Sequence, residues 1–434
     1  MKLKNKYRTA IVLSFLWLLF SLIFAIPWIG DIGRYVPIWL AWFVVTGMAL
    51  IPGLAMAFVN ASLLLDRRPK YDKPPKYPTI DIIVAAYNEE KTIESTLNSI
   101  FNQDYDNVIN VIVANDGSTD NTKGIVLGFI STKPKRMVRM SLCDSPVNIG
   151  KANVLNMALK QTKTDYVITL DADSVLHPDA LKSIVTTMVN RDKSYAAVAG
   201  TILCKNYNES FIAKLQDWDY LLGISAVKRI QSMYKGTLVA QGAFSIYRKS
   251  VLEEVGGWPD KIGEDIVLSW SILNAGYYID HAQDAICWTN VPTSYKIFYR
   301  QRKRWSRGLI EAFRSYPNLL FRKEMYTFFI WYNLMFPYID LTFIFSFVPG
   351  VLIALILGFH LMAGTMTLYL IPVTFIYSSI IFGIQKKALN KQNISMLNKN
   401  VSYILYMLLY QFIMTPATLA GYVSELFKRK RVWK

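Results

Sequence analysis

The feature that most constrains this chain is the set of charge-free stretches at its two ends. Residues 10–30 and 35–65 hold no Asp, Glu, Lys or Arg. A helix needs about 20 apolar residues to cross the hydrocarbon of a bilayer, so both runs suffice, the second with room for tilt. Later, 325–385 contains one carboxylate, Asp340, and no Lys or Arg, and 401–424 has no charged side chain. A cleaved leader has a shorter apolar core and a small-residue cleavage site, whereas a second long run follows here almost at once, so the reading is of anchors. At 53% hydrophobic and 14% aromatic residues, the chain is too apolar to be wholly soluble.

Charge sets the expected orientation. Lys2, Lys4, Lys6 and Arg8 precede the first run, Arg67, Arg68 and Lys70 follow the second, and the loop between them offers Arg34 against Asp31. By the positive-inside rule the N-terminus and the polar block, roughly 66–324, are cytoplasmic in a multi-pass plasma-membrane protein. Spans near 340–359 and 366–385 return the chain to the cytoplasm at Lys386–Lys399. A span at 401–424 then leaves Lys428 to Arg431 outside, against the same rule. Pro416 admits a broken or re-entrant last segment, and 325–345 admits a span of its own. About five spans are expected, with the side of the C-terminus open. The net charge of +17 raises nucleic acid as a partner. Much of it flanks apolar runs, where it suits an anionic leaflet, so none is expected. The cysteines, Cys143, Cys204 and Cys287, lack the close, even spacing of a disulfide framework or a thiolate metal site.

Within the polar block, Thr79–Ala85, Val108–Ala114 and Tyr166–Leu170 read as buried strands, and 90–102, 150–161 and 178–190 as amphipathic helices. That alternation predicts an α/β domain with a largely parallel sheet, entered through the extended Pro-rich linker Pro69 to Pro78. Ligands of such sheets bind beyond the carboxyl ends of the strands. There stand Ala85-Ala86-Tyr87-Asn88-Glu89-Glu90, Asn115-Asp116-Gly117-Ser118-Thr119-Asp120 and Leu170-Asp171-Ala172-Asp173. No glycine-rich phosphate loop of the Walker type is present.

Several of these residues admit two readings. Asp116 before Gly-Ser-Thr suits a tight turn with a helix cap as well as a ligand site. Asp171 and Asp173 share a side at a strand end and repel each other unless water or a cation intervenes; hard oxygens suit Mg²⁺ or Mn²⁺. Glu264 and Asp265 open a predicted helix, where the dipole favours acids, yet Asp265 also suits a general base for an attacking hydroxyl. Gln301-Arg302-Lys303-Arg304-Trp305 lies in an amphipathic stretch fit for a membrane surface. An Arg and a Trp together also suit a leaving pyrophosphate and a sugar face.

Taken in order, Asp116, Asp171-Ala172-Asp173, Gly263-Glu264-Asp265 and Gln301-x-x-Arg304-Trp305 resemble the signature of processive family 2 glycosyltransferases, the cellulose, chitin, hyaluronan and poly-N-acetylglucosamine synthases. The resemblance spans about 80 to 305 and extends to the membrane frame. It implies a GT-A domain at 67–290 between two transmembrane helices at 1–66 and about three at 325–434 with a basic tail, and interfacial helices at 291–324 carrying the Gln-x-x-Arg-Trp motif. It implies that Ala85, Tyr87, Glu89, Asp116, Lys151, Asp171, Ala172, Gln301 and Arg304 bind the donor nucleotide, a UDP-sugar. Asp171 and Asp173 would hold Mg²⁺ or Mn²⁺, and Asp265 would be the base of an inverting transfer. Gln241, Gly242, Glu264 and Trp305 would meet a growing polysaccharide passed into a transmembrane channel. A lipid bilayer and a small membrane subunit complete the implied partners.

The chain departs from the family pattern at Gly263, where many members have Thr, at Ser174, where some have His, and at Gln241-Gly242, where close relatives have Ser-Gly or Cys-Gly. The stretches from Gln216 and Asp219-Tyr220 through Lys228-Arg229, the run at 263–270, and Cys287-Trp288 look most like the poly-N-acetylglucosamine synthases. A synthase of another UDP-sugar, a nonprocessive transferase acting on a lipid carrier, and a transporter with a regulatory domain are the competing readings.

Overall fold

The computed structural model describes residues 1–69, 71–132, 137–360, 365–394 and 400–428; Lys70, Lys399 and the basic residues 429–431 lie outside them. From the N-terminus come α1 (Leu3–Ile32), α2 (Ile38–Val45) and α3 (Ile51–Leu65), the last two fused through a π-helical turn at Thr46–Leu50. The polar block begins with β1 (Ile80–Ala86), α4 (Ile93–Phe101), β2 (Ile109–Asp116), α5 (Thr122–Thr132), β3 (Val138–Ser145), α6 (Lys151–Leu159) and β4 (Tyr166–Asp171). It continues with β5 (Val175–Leu176), α7 (Ala180–Val189), β6 (Tyr195–Cys204), α8 (Phe211–Trp218), α9 (Ala226–Met233), β7 (Phe244–Arg248), α10 (Lys249–Glu254), α11 (Glu264–Asn274) and β8 (Tyr278–Thr289). Then follow α12 (Tyr295–Ser315), α13 (Thr327–Thr342), α14 (Val348–Leu357), α15 (Thr365–Asn390) and α16 (Asn400–Leu426).

The eight strands form one sheet in the order β3-β2-β1-β4-β7-β6-β8-β5. The expected parallel arrangement holds across β3-β2-β1-β4, where the apolar runs Ile-Asp-Ile-Ile-Val and Val-Ile-Val-Ala are covered by helices on both faces. Beyond β4 the sheet is mixed, because β7 runs antiparallel to both β4 and β6. One charge inside β1 is fully answered: the Asp81 carboxylate, 1% exposed, accepts from Asn110 Nδ2 and from the Lys163 and Thr164 amides at 2.6–2.8 Å. The sheet therefore keeps a buried carboxylate without an unmet acceptor.

Among the described residues, five helical stretches are long and apolar enough to cross a membrane: Leu3–Ile32, Ile38–Leu65, Thr327–Leu357, Tyr369–Asn390 and Val401–Leu426. The region 325–345, open between surface and span in the sequence, belongs to the unbroken helical stretch Thr327–Leu357. The apolar helices do not hang loosely from the sheet domain. Where α3 ends, the buried Asp66 carboxylate takes Arg229 Nε at 2.7 Å and Arg68 Nε at 3.2 Å, and the Arg68 guanidinium also donates to the Arg229 carbonyl at 2.6 Å. Ser62 Oγ and Tyr234 Oη, 2.9 Å apart, extend the joint.

Removing Asp66 leaves two guanidiniums facing each other in a largely dry joint. Asp66→Ala should destabilise the protein by about 3 kcal/mol, the low end for breaking a buried pair because Arg68 keeps some water. A melting curve of detergent-solubilised protein measures it.

Candidate active site

The carboxyl ends of β1 and β4 lie side by side, Ala85 opposite Asp171, at the point where the chain turns to opposite sides of the sheet. In open α/β sheets this is where a crevice forms. Its floor is organised by Lys151, at the start of α6. The ammonium donates to Asp171 Oδ1 at 2.6 Å and stands 3.6 Å from Glu264 Oε1, at the start of α11. Burial pulls the Lys151 pKa down, but the charges of Asp171 and Glu264 more than offset it, so the group stays a cation well above the usual lysine value. A β-carbon on Gly242 would stand 3.1 Å from Lys151 Nζ, so any side chain there crowds the ammonium.

Asp173 faces the same space from the turn after β4. Its Oδ1 accepts from Thr289 Oγ1 at 3.1 Å, and its carboxyl is pushed up to about 7 by burial, then by the charges of Asp171 and Glu89. Burial likewise raises Glu264, with Lys151 opposing it. Two carboxylates at one strand end, with a third acid pressing on them, suit a hard divalent cation that fills its remaining positions with water or phosphate oxygens. The described residues hold no group of three or more His, Cys, Asp or Glu that would enclose a metal by themselves. The donor set therefore fits a metal shared with a phosphorylated substrate.

Asp265 lines the cavity one residue beyond Glu264, its Oδ1 accepting from the Ile266 amide at 2.8 Å. The helix that carries it meets α12 backbone against backbone, since a β-carbon on Gly263 would lie 2.5 Å from Gly308 Cα. Glu311 Oε2 accepts from the Gly263 amide at 3.0 Å and holds the same joint. This is the physical reason for glycine at 263, where the resemblance leads one to expect Thr. On α12, Gln301, Arg304 and Trp305 line the cavity, and the Gln301 Oε1 is buried without a hydrogen-bond partner. The Arg302 guanidinium stacks 4.2 Å from the Trp305 ring while pairing with Asp219 at 3.1 Å, which fixes the indole.

Ala85, Tyr87, Glu89 and Asp116 do not line this cavity. Both Asp116 oxygens are taken by backbone, accepting from the Ile149 amide at 2.7 Å and the Gly150 amide at 3.1 Å. The carboxylate thus clamps the loop that leads into Lys151. Gly117, at φ 68°, is required beside it, because a β-carbon would strike the Val147–Asn148 peptide at 2.4 Å. The Tyr87–Glu90 loop zips onto 118–122 through Asn88, whose Oδ1 accepts from the Thr119 amide at 2.8 Å. Ala172 is buried, and its carbonyl accepts from Thr96 Oγ1 at 2.8 Å. Gln241 lines the cavity beside Lys228, which the sequence offered only as part of a subfamily stretch and not as a site residue, and whose Nζ donates to Gln241 Oε1. Burial, opposed by Asp265, lowers the Lys228 amine to about 7. Lysine at helical spacing among polar residues carries no sign of burial, and Gln241 lies on another element, so the sequence did not reveal the pair.

From these residues a cavity of about 1340 Å³ runs without a break past Tyr332 and Asp340 to Trp17, Phe20, Phe24 and Trp28 among the apolar helices.

Residues 81–256 match the family model described as glycosyl transferase family 2. Poly-beta-1,6-N-acetyl-D-glucosamine synthases of Staphylococcus epidermidis and Staphylococcus aureus are 36% and 35% identical to the chain over 230 residues, which is 53% of this chain and 54% of each relative. The chain thus spans about half the length of the curated relatives it matches. Among solved structures, a mannosyltransferase from Pyrobaculum calidifontis in complex with GDP-Man and Mn2+ superposes with a TM-score of 0.63 at 19% identity, covering 89% of this chain and 98% of the other. That likeness is of fold, and the sheet with its flanking helices is of the expected GT-A type.

The raised Asp173 pKa has a signed consequence. A carboxyl that holds its proton more tightly when folded contributes stability at low pH and loses it as pH rises from about 4 to about 7. Metal-free protein should therefore melt lower at pH 8 than at pH 6 in part because of this group, and Asp173→Asn should remove that part. Melting curves of both proteins in chelator measure the difference.

Proposed function

We propose that the chain, whose residues 81–256 match the family model described as glycosyl transferase family 2, is a membrane synthase that polymerises N-acetylglucosamine from UDP-N-acetylglucosamine with inversion and passes the polymer between its apolar helices. The observation that carries this reading is the continuous cavity from Lys151, Asp171 and Asp265 past Trp305 to the aromatic side chains of α1. A soluble acceptor or a single-sugar lipid product has no need of such a path. The sugar is taken from the two Staphylococcus relatives. The catalytic domain faces the cytoplasm, where UDP-sugars are made, in keeping with the basic residues beside the apolar runs.

Each residue has a part in this scheme. Asp171 and Asp173 hold a divalent cation, Mg²⁺ or Mn²⁺, which when bound neutralises charge on the diphosphate. Lys151, paired with Asp171, adds positive charge where the leaving group collects its electrons. Arg304 and Gln301 approach from α12, the unpaired Gln301 Oε1 marking that side chain as one that awaits a partner. Ala85, Tyr87, Glu89, Asp116 and Ala172 shape the uridine end, Asp116 by holding the loop into α6.

Asp265 takes the proton of the acceptor hydroxyl as that oxygen bonds to the anomeric carbon and the diphosphate oxygen departs with the bonding pair. No covalent enzyme intermediate is needed. Gln241, Gly242, Glu264 and Trp305 border the acceptor, and the indole, stacked on Arg302 on one face, offers its other face to a sugar ring.

Purified protein given a panel of UDP-sugars with Mn²⁺ should release UDP and build a size-distributed polymer only with UDP-N-acetylglucosamine; UDP release with a single-sugar lipid product would sink the reading. Asp265→Asn should leave UDP binding within about twofold and lower kcat by about 10³-fold, the scale of a lost general base.

A further inference from the structure

By length and hydropathy α16 qualifies as a fifth span, but its contacts keep both of its ends on one face. At its start, Trp218 Nε1 donates to Ser402 Oγ at 3.0 Å and the Trp218 and Tyr403 rings lie 5.0 Å apart. Part-way along, Tyr410 Oη donates to Asp219 at 2.8 Å, beside Arg302. At its end, Glu425 pairs with Arg307 at 3.0 Å and with Arg314 at 3.3 Å. Between these points it presses on α12, since a β-carbon on Gly421 would lie 2.5 Å from the Lys303 carbonyl.

The partners decide where this helix lies. Trp218 and Asp219 belong to the sheet domain, and α12 carries Arg300, Arg302, Lys303, Arg304, Arg307 and Arg314, which keeps it out of hydrocarbon. A helix of this size, roughly 40 Å long, that crossed about 30 Å of hydrocarbon would leave one end far from such partners. The far side is marked independently: Tyr35, between α1 and α2, meets Phe359, after α14, with ring centroids 5.2 Å apart. Nothing in α16 reaches that pair among the described contacts.

We infer that α16 does not cross the bilayer but lies along its catalytic-side surface, sandwiched at mid-length between α12 and the third apolar helix and resting on anionic lipid elsewhere. The crossing point supports this depth. Asp340 accepts from Thr418 Oγ1 at 2.6 Å and from Gln411 Nε2 at 3.2 Å. The stretch beyond it, 341–357, is uncharged and by itself nearly spans a bilayer. Asp340 and α16 thus sit together at the level where hydrocarbon begins. Away from the crossing, Val401, Ile404, Val423 and Leu426 are exposed and share one side of the helix at 3.6 residues per turn. The sequence continues into Lys428-Arg429-Lys430-Arg431, which matches the charge of anionic headgroups. Four spans then return the chain, and its basic end, to the side of Arg67, Arg68, Lys386 and Lys387. The conflict with the positive-inside rule disappears.

This inference rests on the other four apolar helices being spans, and sidedness labelling separates the two ideas. Cys143, Cys204 and Cys287 are buried, so single cysteines can be introduced at exposed positions of the full chain: Lys91→Cys in the sheet domain, Tyr35→Cys at the far loop, and Phe427→Cys after α16. A membrane-impermeant maleimide should give Phe427→Cys the same labelling as Lys91→Cys, silent in intact cells and reactive after permeabilisation, and the opposite of Tyr35→Cys. Labelling of Phe427→Cys together with Tyr35→Cys would overturn the proposal. If the whole chain were inverted, Lys91→Cys would label in intact cells, and Phe427→Cys should still follow it. Should the cysteine variant fold poorly, protease protection of a C-terminal tag on the wild-type chain gives the same readout.

Discussion

Lys151 is the interaction on which the candidate site depends. Its ammonium joins the end of β4, through Asp171, to the start of α11, through Glu264, and so brings two segments 93 residues apart in sequence around one space. Without a cation there, Asp171, Asp173, Glu264 and Asp265 would face one another in a poorly hydrated crevice. The same charge explains the loop before it: Asp116 fixes the Ile149 and Gly150 amides, and so sets where α6 begins and where the ammonium can stand.

The candidate crevice and the apolar helices are joined by short polar bridges across otherwise apolar packing. Asp66 with Arg229 and Arg68 ties α3 to α9, and Asp219 with Arg302 and Tyr410 ties α12 and α16 to the segment after α8. Each bridge pairs a buried carboxylate with more than one donor, which a low-dielectric joint requires. The cavity passes beside the second of them, so the wall of the proposed polymer path is also the seam that holds sheet domain and apolar helices together.

How much of this the sequence disclosed follows from the range of the interactions. Strands β1, β2 and β4 were legible because a buried parallel strand must be apolar on both faces, and Asp171-x-Asp173 because a strand end puts i and i+2 on one side. Strands β6, β7 and β8, which make the sheet mixed, lack a local signature of direction. The two readings left open for Asp116 met partners more than 30 residues away, and a turn motif does not name them. Lys228 beside Gln241, and Gly263 against Gly308, are juxtapositions of separate elements. The path of α16 was open for the same reason: length and hydropathy measure what a helix tolerates, whereas Trp218, Asp219 and Arg307 determine where it is held.

The contact of Gly263 with Gly308 carries one more consequence. Side-chain joints loosen by changing rotamers, but two backbones in van der Waals contact have no such freedom. The helix bearing Asp265 and the helix bearing Trp305 therefore move together, and any tilt imposed on α12 by the helices packed against it is transmitted to the carboxylate as a rigid displacement.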